Sequence, residues 1–494
     1  MSGTHRPMER FDANAREALA DPILRGALHH ATGLFGERRK AAIDDIGGDA
    51  DWQRLRDHAR AIKDATLARL DRYLEEFVTN AERRGMVVHW ARNADDACEI
   101  IAGLAATADA KTVVKSKSMT SEEVRLGEFL EGQGLSSVET DLGEWIVQRA
   151  HEVPSHIIVP AIHKTKEQIA VLFHEQVGTD ADADVDTLTA AARDVLRGEF
   201  AKAEVGVSGV NFAVAETGTF LILENEGNAR FTTSLPKVHV ALMGIEKVIP
   251  RYADLDVFLK LLPRSGTGQH LTSYQTLITG PKAGPDEDGP DEVHVVLLDN
   301  GRSRFLSRDV TRQSLACIRC GACLNACPVY QQVGGHAYGS VYPGPIGAVI
   351  TPQLSGVGKA AQLPYASSLC GACREVCPVK IDIPALLLHL RADVVDGEDP
   401  PGSPFGAQRR PTKLGERLGF RAWSFVVGGP RRFAIATWFA RLGQRLVARG
   451  GWVGKVGGPL AALAPPLGAW TGTRDMRALA PRSFRAKWRK ELSR

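Results

Sequence analysis

Two twelve-residue stretches decide the reading of this chain: CIRCGACLNACP at residues 317–328 and SSLCGACREVCP at residues 367–378. Aligned on their shared CGAC they follow one spacing, CxxCxxCxxxCP, except that the first cysteine of the second stretch is replaced by Ser367. Between them lie Cys317, Cys320, Cys323, Cys327, Cys370, Cys373 and Cys377, seven of the eight cysteines in 494 residues. Disulfide scaffolds are short and cysteine-dense, so this clustering in a long chain points to thiolate metal ligation in a reducing compartment.

In bacterial ferredoxins, the first three thiolates of such a run hold one [4Fe-4S] cluster and the fourth, before proline, crosses to the other. On that pattern Cys317, Cys320, Cys323 and Cys377 make one complete set. Cys327, Cys370 and Cys373 make a second, and its fourth position falls at Ser367. Oxygen is a harder and weaker ligand for iron than a thiolate, so the second site is expected to hold a three-iron cluster, a labile cluster, or a four-iron cluster with a non-cysteine ligand. Zinc is the competing reading of paired CxxC units. Seven ligands, the three-then-one spacing and both Cys-Pro endings favour two [4Fe-4S] clusters. Gly321 and Gly371 let the backbone wrap closely and turn amides toward cluster sulfurs.

Outward from the cysteines, residues 85–300 alternate β-rich runs such as MVVHWA, TVVKSKS and SSVETDL with helical segments, which predicts an α/β domain with a largely parallel sheet. A helical lead-in, residues 1–84, precedes it, with Leu55, Ile62, Leu67, Leu70, Leu74 and Phe77 spaced for helices. Residues 305–396 form an α-helical ferredoxin-type module. Residues 397–494 are a proline-rich linker, clearest at 397–411, and a basic helical C-terminal domain.

The α/β region offers two polar sets at strand ends, where such folds bind ligands. Lys115, Ser116 and Lys117 precede a helix and suit a carboxylate or phosphate; Glu216, Thr217 and Gly218 fill the turn between FAVA and TFLILE. A solvated strand end is the plain alternative. Neither set holds a nucleophile and base, and no GxGxxG joins a strand to a helix, so there is no positive case for a bound dinucleotide. Cys98 reads as a small core residue. His156, His163, His239 and His336 lack a partner at ligand spacing and read as structural.

Residues 401–494 carry 19 Lys and Arg against 3 Asp and Glu, a net +16, which leaves the preceding residues at −13 (42 against 55). This basic tail, with Trp423, Trp438, Trp452, Trp470 and Trp488, is expected to dock on the acidic body of its own chain, on a partner subunit, or peripherally on the inner face of the membrane. Nucleic acid is disfavoured because no binding fold accompanies the charge. The N-terminus has no apolar signal segment and no run of about eighteen apolar residues occurs, so the cytoplasm is the expected location.

With these residues in view, the chain resembles the lactate utilization protein B family. The resemblance is carried by VVKSKSMTSEEV, AETGTFLILENEGNAR, SLPKVHV, CIRCGACLNACPVY, SLCGACREVCPVKIDIP and the terminal RSFRAKWRK. It implies a LUD domain related to sugar-phosphate isomerase-like folds and two [4Fe-4S] clusters, with serine at the eighth ligand position as a family trait. It also implies partner subunits that include a second LUD protein and a cysteine-rich protein, an unidentified electron acceptor, and a part in oxidising L-lactate to pyruvate. Electron transfer is the expected role. The alternative is that the LUD domain itself oxidises a 2-hydroxy acid, with Lys115, Lys117 and Glu216 handling the carboxylate; a zinc-bearing scaffold is the third reading.

Overall fold

The computed structural model describes residues 6–397, 414–456, 468, 471, 472, 474 and 476–492. Trp470 and all of the expected linker except Gly397 lie outside them. The chain divides into two compact units, Met1–Arg410 and Pro411–Arg494.

The first unit is built on a six-stranded sheet in the order β1-β10-β7-β4-β2-β3. Its members are β1 (Val87–Ala91), β2 (Thr112–Lys115), β3 (Ser136–Glu139), β4 (Val205–Gly209), β7 (Val238–Gly244) and β10 (Glu292–Leu298). Every pairing is parallel. Parallel strands are covered on both faces and therefore read as continuous apolar runs; every residue of β7, VHVALMG, is buried. Helices such as Ala94–Thr107 supply the crossovers. Strand order reverses between β2, whose chain continues outward to β3, and β4, whose chain returns toward β7. Crevices at the carboxyl ends of such strands are the usual ligand sites of open α/β sheets.

A second sheet, ordered β8-β5-β6-β9, comprises β5 (Phe212–Val214), β6 (Thr219–Glu224), β8 (Val248–Ile249) and β9 (Tyr274–Ile278). It packs in the same apolar core as the N-terminal helices and the cysteine-bearing segment, a core that runs from Phe11 to Leu390. The helical lead-in, this second sheet and the cysteine-bearing segment therefore share one core. Four helices precede β1: α1 (Phe11–Leu19), α2 (Pro22–Asp45), α3 (Gly48–Leu67) and α4 (Leu70–Arg83). Helix α2 starts where Asp21 accepts N–H bonds from Ile23 and Leu24, with proline in the first turn, a favourable start because those amides have no partner within the helix. Helix α3 turns Trp52, Ala59 and Ile62 inward.

Five buried charged groups tie these parts together. Arg302, just after β10, donates to both oxygens of Glu123 at 2.8 Å and to Glu246 at 2.6 Å. Tyr342 from the cysteine module donates to Glu123 at 2.6 Å, and Arg319 reaches Glu246 at 3.3 Å while lying over the Tyr342 ring. Lys63 of α3 donates to the Glu246 carbonyl at 2.6 Å. Burial pushes the Glu246 carboxyl up, but Arg302 and then Arg319 outweigh it and hold the group down at about 2.

The second unit contains helices Leu414–Val427 and Pro430–Gln444 and a short three-stranded antiparallel sheet. Trp423, Phe425, Trp438 and Phe439 are exposed. Among the described residues no helix is long and apolar enough to cross a membrane.

Two measurements check the buried network. Arg302→Met leaves Glu123 and Glu246 without their shared cation and should lower unfolding free energy by roughly 3–5 kcal/mol in denaturant titration. Because the folded-state pKa of Glu246 lies below its ordinary 4.5, the stability it contributes is full above that value and lost as pH falls through about 2. Glu246→Gln should therefore flatten the acid limb of stability against pH; an unchanged slope would show that the carboxylate is not held as described.

Candidate iron-sulfur centre and adjoining cavity

The two cysteine stretches fold alike because the same residues take the same unusual backbone angles. Arg319 and Gly321 have φ of 61° and 73°, and Leu369 and Gly371 have φ of 55° and 89°. This left-handed region costs little at glycine and more at other residues. Each loop then enters a short helix, Ala322–Asn325 or Ala372–Val376. The loops aim amides at heteroatoms in the same way. Arg319 N–H donates to Cys317 Sγ at 3.4 Å, and Leu369 N–H donates to Ser367 Oγ at 3.1 Å. Ser367 thus occupies the position that a first cysteine takes in the other loop. Tyr330 N–H reaches Cys327 Sγ at 3.5 Å and Ile381 N–H reaches Cys377 Sγ at 3.3 Å.

The thiols fall into two neighbourhoods. Burial pushes Cys320 up, followed by the nearby Cys377 and Cys317; burial likewise raises Cys323, followed by Cys317, Cys320 and Cys377 and last by Cys373 of the other neighbourhood. Burial holds Cys373 at about 12, followed by Cys327, and Cys370 is the thiol that bears on Cys327. Cys320, Cys323, Cys327, Cys373 and Cys377 are buried, whereas Cys370 is exposed, so the second neighbourhood alone reaches the surface fully. Clustered sulfurs that receive backbone N–H groups are the donor set an iron-sulfur cluster requires. Cys98 stands apart in the α/β core, its thiol on Val124 O at 3.4 Å.

The first neighbourhood is ringed by cations that the sequence reading did not pick out. Arg56 of α3 donates twice to the Cys377 carbonyl, at 3.0 and 2.8 Å, and Arg39 of α2 reaches Val376 O at 3.4 Å. Lys63 and Lys247 are each held down at about 8, both by burial first. Arg56 and Lys63 sit on the apolar face of α3, where helical periodicity gives no hint of a distant carbonyl. The four histidines are each hydrogen-bonded: His156 bonds Asn325 at 3.0 Å, His163 bonds Glu152 at 2.6 Å, His239 bonds Ser208 at 2.8 Å and His336 bonds Val153 O at 2.7 Å.

A cavity of ≈ 240 Å³ opens at the carboxyl ends of β2 and β4 and runs to the first cysteine loop. Ser116 and Lys117 line it, with Asp141, Asn211, Glu226, Lys247, Arg319 and Cys320. Lys115 does not: it is buried in ion pairs with Glu122 at 2.8 Å and Glu139 at 2.5 Å, which keep it charged. Glu216, Thr217 and Gly218 are also absent from the cavity wall. Glu216 accepts the Tyr252 N–H at 2.8 Å, Thr217 Oγ1 accepts the Thr219 N–H at 3.3 Å, and Gly218 packs on the Asn80–Ala81 backbone of α4. The six residues of the sequence reading therefore separate into Ser116 and Lys117 at the cavity, Lys115 in a buried ion cluster, and a turn that seats a helix.

Fold and site together define an iron-sulfur protein carrying a LUD domain. Residues 74–298 match the LUD domain, residues 313–381 the 4Fe-4S dicluster domain, and residues 389–493 the C-terminal domain of lactate utilisation protein B. The chain is 42% identical to lactate utilization protein B of Macrococcus caseolyticus over 98% of both chains. It is 41% identical to the Bacillus pumilus protein of that name over 97% of both chains, and 39% identical to the uncharacterized electron transport protein YkgF of Escherichia coli K12 over 97% of this chain and 96% of that one. The chain belongs to the lactate utilization protein B family.

The position of Gly218 has a measurable consequence. It has φ of 68° and a Cβ there would meet the backbone of Asn80 and Ala81. Gly218→Ala should cost roughly 1–3 kcal/mol in denaturant titration and leave bound iron per folded chain unchanged; lost iron at full stability would contradict a purely architectural turn.

Proposed function

We propose that this chain is an iron-sulfur electron-transfer protein taking part in the degradation of L-lactate to pyruvate. The observation that carries the proposal is the pair of matched cysteine loops, one with four thiols in its neighbourhood and one with three. Bound [4Fe-4S] clusters supply one-electron exchange. Cys317, Cys320, Cys323 and Cys377 hold the first. Cys327, Cys370 and Cys373 hold the second, with Ser367 Oγ at its fourth corner; the N–H bond from Leu369 that matches the one on Cys317 supports this reading. The exposure of Cys370 makes the second site the side that meets a partner.

The partners implied by family membership are other lactate-utilization subunits, a second LUD protein and a cysteine-rich protein among them, and an electron acceptor. The cytoplasm is the proposed location. The basic tail, with Trp423 and Trp438 exposed, is proposed as a docking surface for a partner subunit, with peripheral contact at the inner membrane face as the other outcome of a pull-down and vesicle co-sedimentation pair. A second reading, favoured by Ser116 and Lys117 at the cavity, makes the LUD domain the catalytic site for a 2-hydroxy acid. Lactate turnover by the purified chain with an artificial acceptor would support it, and inactivity without partners would support the carrier role.

Cys317→Ser and Cys373→Ser should each lower iron and acid-labile sulfide by about one cluster and abolish lactate-dependent electron transfer while the α/β fold persists. Full activity with a cluster missing would overturn the carrier role. Ser367→Ala should convert the second site to a three-iron form seen by electron paramagnetic resonance, and Ser367→Cys should restore four iron atoms. A spectrum indifferent to both changes would remove Ser367 from the ligand set.

A further inference from the structure

The cavity beside Cys320 is lined by residues whose hydrogen-bonding capacity the fold leaves partly unused. Three cations face it: Lys117 beyond β2, Lys247 beyond β7 and Arg319 from the first cysteine loop. Lys117 Nζ and Arg319 Nη1 are enclosed without a hydrogen-bond partner among the described residues, and so is the Ser116 hydroxyl. Arg319 is nine-tenths buried, its side chain 9% exposed, and Lys247 is 8% exposed. A buried charge without a partner is costly unless something enters to meet it.

The acidic groups on the same wall are already engaged. Asp141 accepts the Glu144 N–H at 3.1 Å, Glu226 accepts the Leu142 N–H at 2.9 Å, and Glu224 accepts the Ala229 and Arg230 N–H groups at 2.7 and 2.9 Å. Burial, and then Glu122, pushes the Glu144 carboxyl near Lys117 well above the ordinary carboxylate range. Ile157, Ile158, Ile222 and Leu262 supply an apolar wall. At ≈ 240 Å³ the space is smaller than the roughly 300–1,000 Å³ of sites for drug-sized ligands.

We infer that this cavity binds a small monocarboxylate of the 2-hydroxy or 2-oxo acid class against the Cys320 wall. Lys117, Lys247 and Arg319 answer its carboxylate, Ser116 its 2-oxygen, and the isoleucines its alkyl end. The choice of acid rests on the lactate reading above; the cavity itself does not. The carboxylates of Asp141, Glu224 and Glu226 on the same wall repel a doubly charged anion more than a singly charged one, which favours a monocarboxylate over phosphate. A carboxylate here places negative charge beside the first cysteine set, so it disfavours reduction there, and reduction must weaken carboxylate binding by the same factor.

The test uses the full chain prepared without oxygen, with L-lactate, pyruvate, acetate and inorganic phosphate as probes in calorimetry and in redox titration followed by electron paramagnetic resonance. Lactate or pyruvate should bind, and a tenfold preference for the oxidised protein would appear as a downward potential shift of about 59 mV. Lys117→Gln and Lys247→Gln should each weaken binding about tenfold or more and remove the shift with iron content unchanged. Ser116→Ala should weaken lactate and pyruvate but not acetate. No binding to the iron-loaded protein, phosphate binding as tightly as pyruvate, or binding unaltered in both lysine variants would overturn the inference. Pyruvate binding to a preparation without iron or sulfide would instead sink the iron-sulfur reading and leave the cavity standing.

Discussion

Arg302 between Glu123 and Glu246 is the interaction on which the rest of the first unit depends. All three side chains are almost wholly buried, and ions taken out of water are tolerated only when each is met by an opposite charge and further hydrogen bonds. Here each carboxylate is met more than once. Glu123 lies beyond β2, Glu246 beyond β7 and Arg302 beyond β10, so the network locks three strand ends of one sheet. Tyr342 and Arg319 bring the cysteine module to the same carboxylates, and Lys63 brings α3. An apolar core would hold these parts together equally well but would allow sliding; directed bonds to Glu246 set where Arg319, and hence Cys317 and Cys320, stand relative to the sheet.

That constraint explains why the two cysteine stretches, alike in backbone, are unlike in setting. The first loop is drawn inward by Arg319, backed by Gly266 and the Ile158 side chain, and overlooked by Arg39 and Arg56. The second has no counterpart of Arg319: Leu369 takes the same left-handed conformation with an apolar side chain that cannot reach Glu246. One loop is thereby enclosed among cations and the other left near solvent with Cys370 exposed. Positive surroundings and burial are two of the levers by which a protein tunes an iron-sulfur site, so the two sites differ by environment as well as by the replacement of a cysteine with Ser367.

Much of this was legible before the structure. The cysteine spacing announces an iron-sulfur protein because ligand geometry tolerates little variation, and valine-rich runs alternating with helices announce a parallel sheet because both faces must be covered. Ser116 and Lys117 were legible as polar residues at the end of a buried strand. The ion pairs of Lys115 were not legible, because period-two alternation tells which side of the sheet a side chain takes, not that Glu122 and Glu139 wait on that side. The turn at Glu216, Thr217 and Gly218 looked like a pocket edge for a similar reason: glycine in a polar turn signals close approach, and only the fold reveals that the approaching group is helix α4 and not a ligand. Lys247 and Arg319 were illegible as partners because 71 residues of intervening chain separate two groups joined through Glu246.

The same geometry links the cavity to the cysteines in a way neither part could achieve alone. Open α/β sheets bind ligands beyond their strand ends because the diverging loops leave a crevice there. In this chain that crevice is floored by β2 and β4 but closed by Cys320 and Arg319 of the first cysteine loop. Arg319, which lines the cavity, spends one guanidinium nitrogen on Glu246 and leaves another enclosed without a hydrogen-bond partner among the described residues. Any displacement of the first cysteine loop must therefore move a cavity cation, and any anion that engages that cation must pull on the loop. The proposed carboxylate site and the surroundings of the first cysteine set thus share one side chain, held in place by a carboxylate that the sheet itself positions.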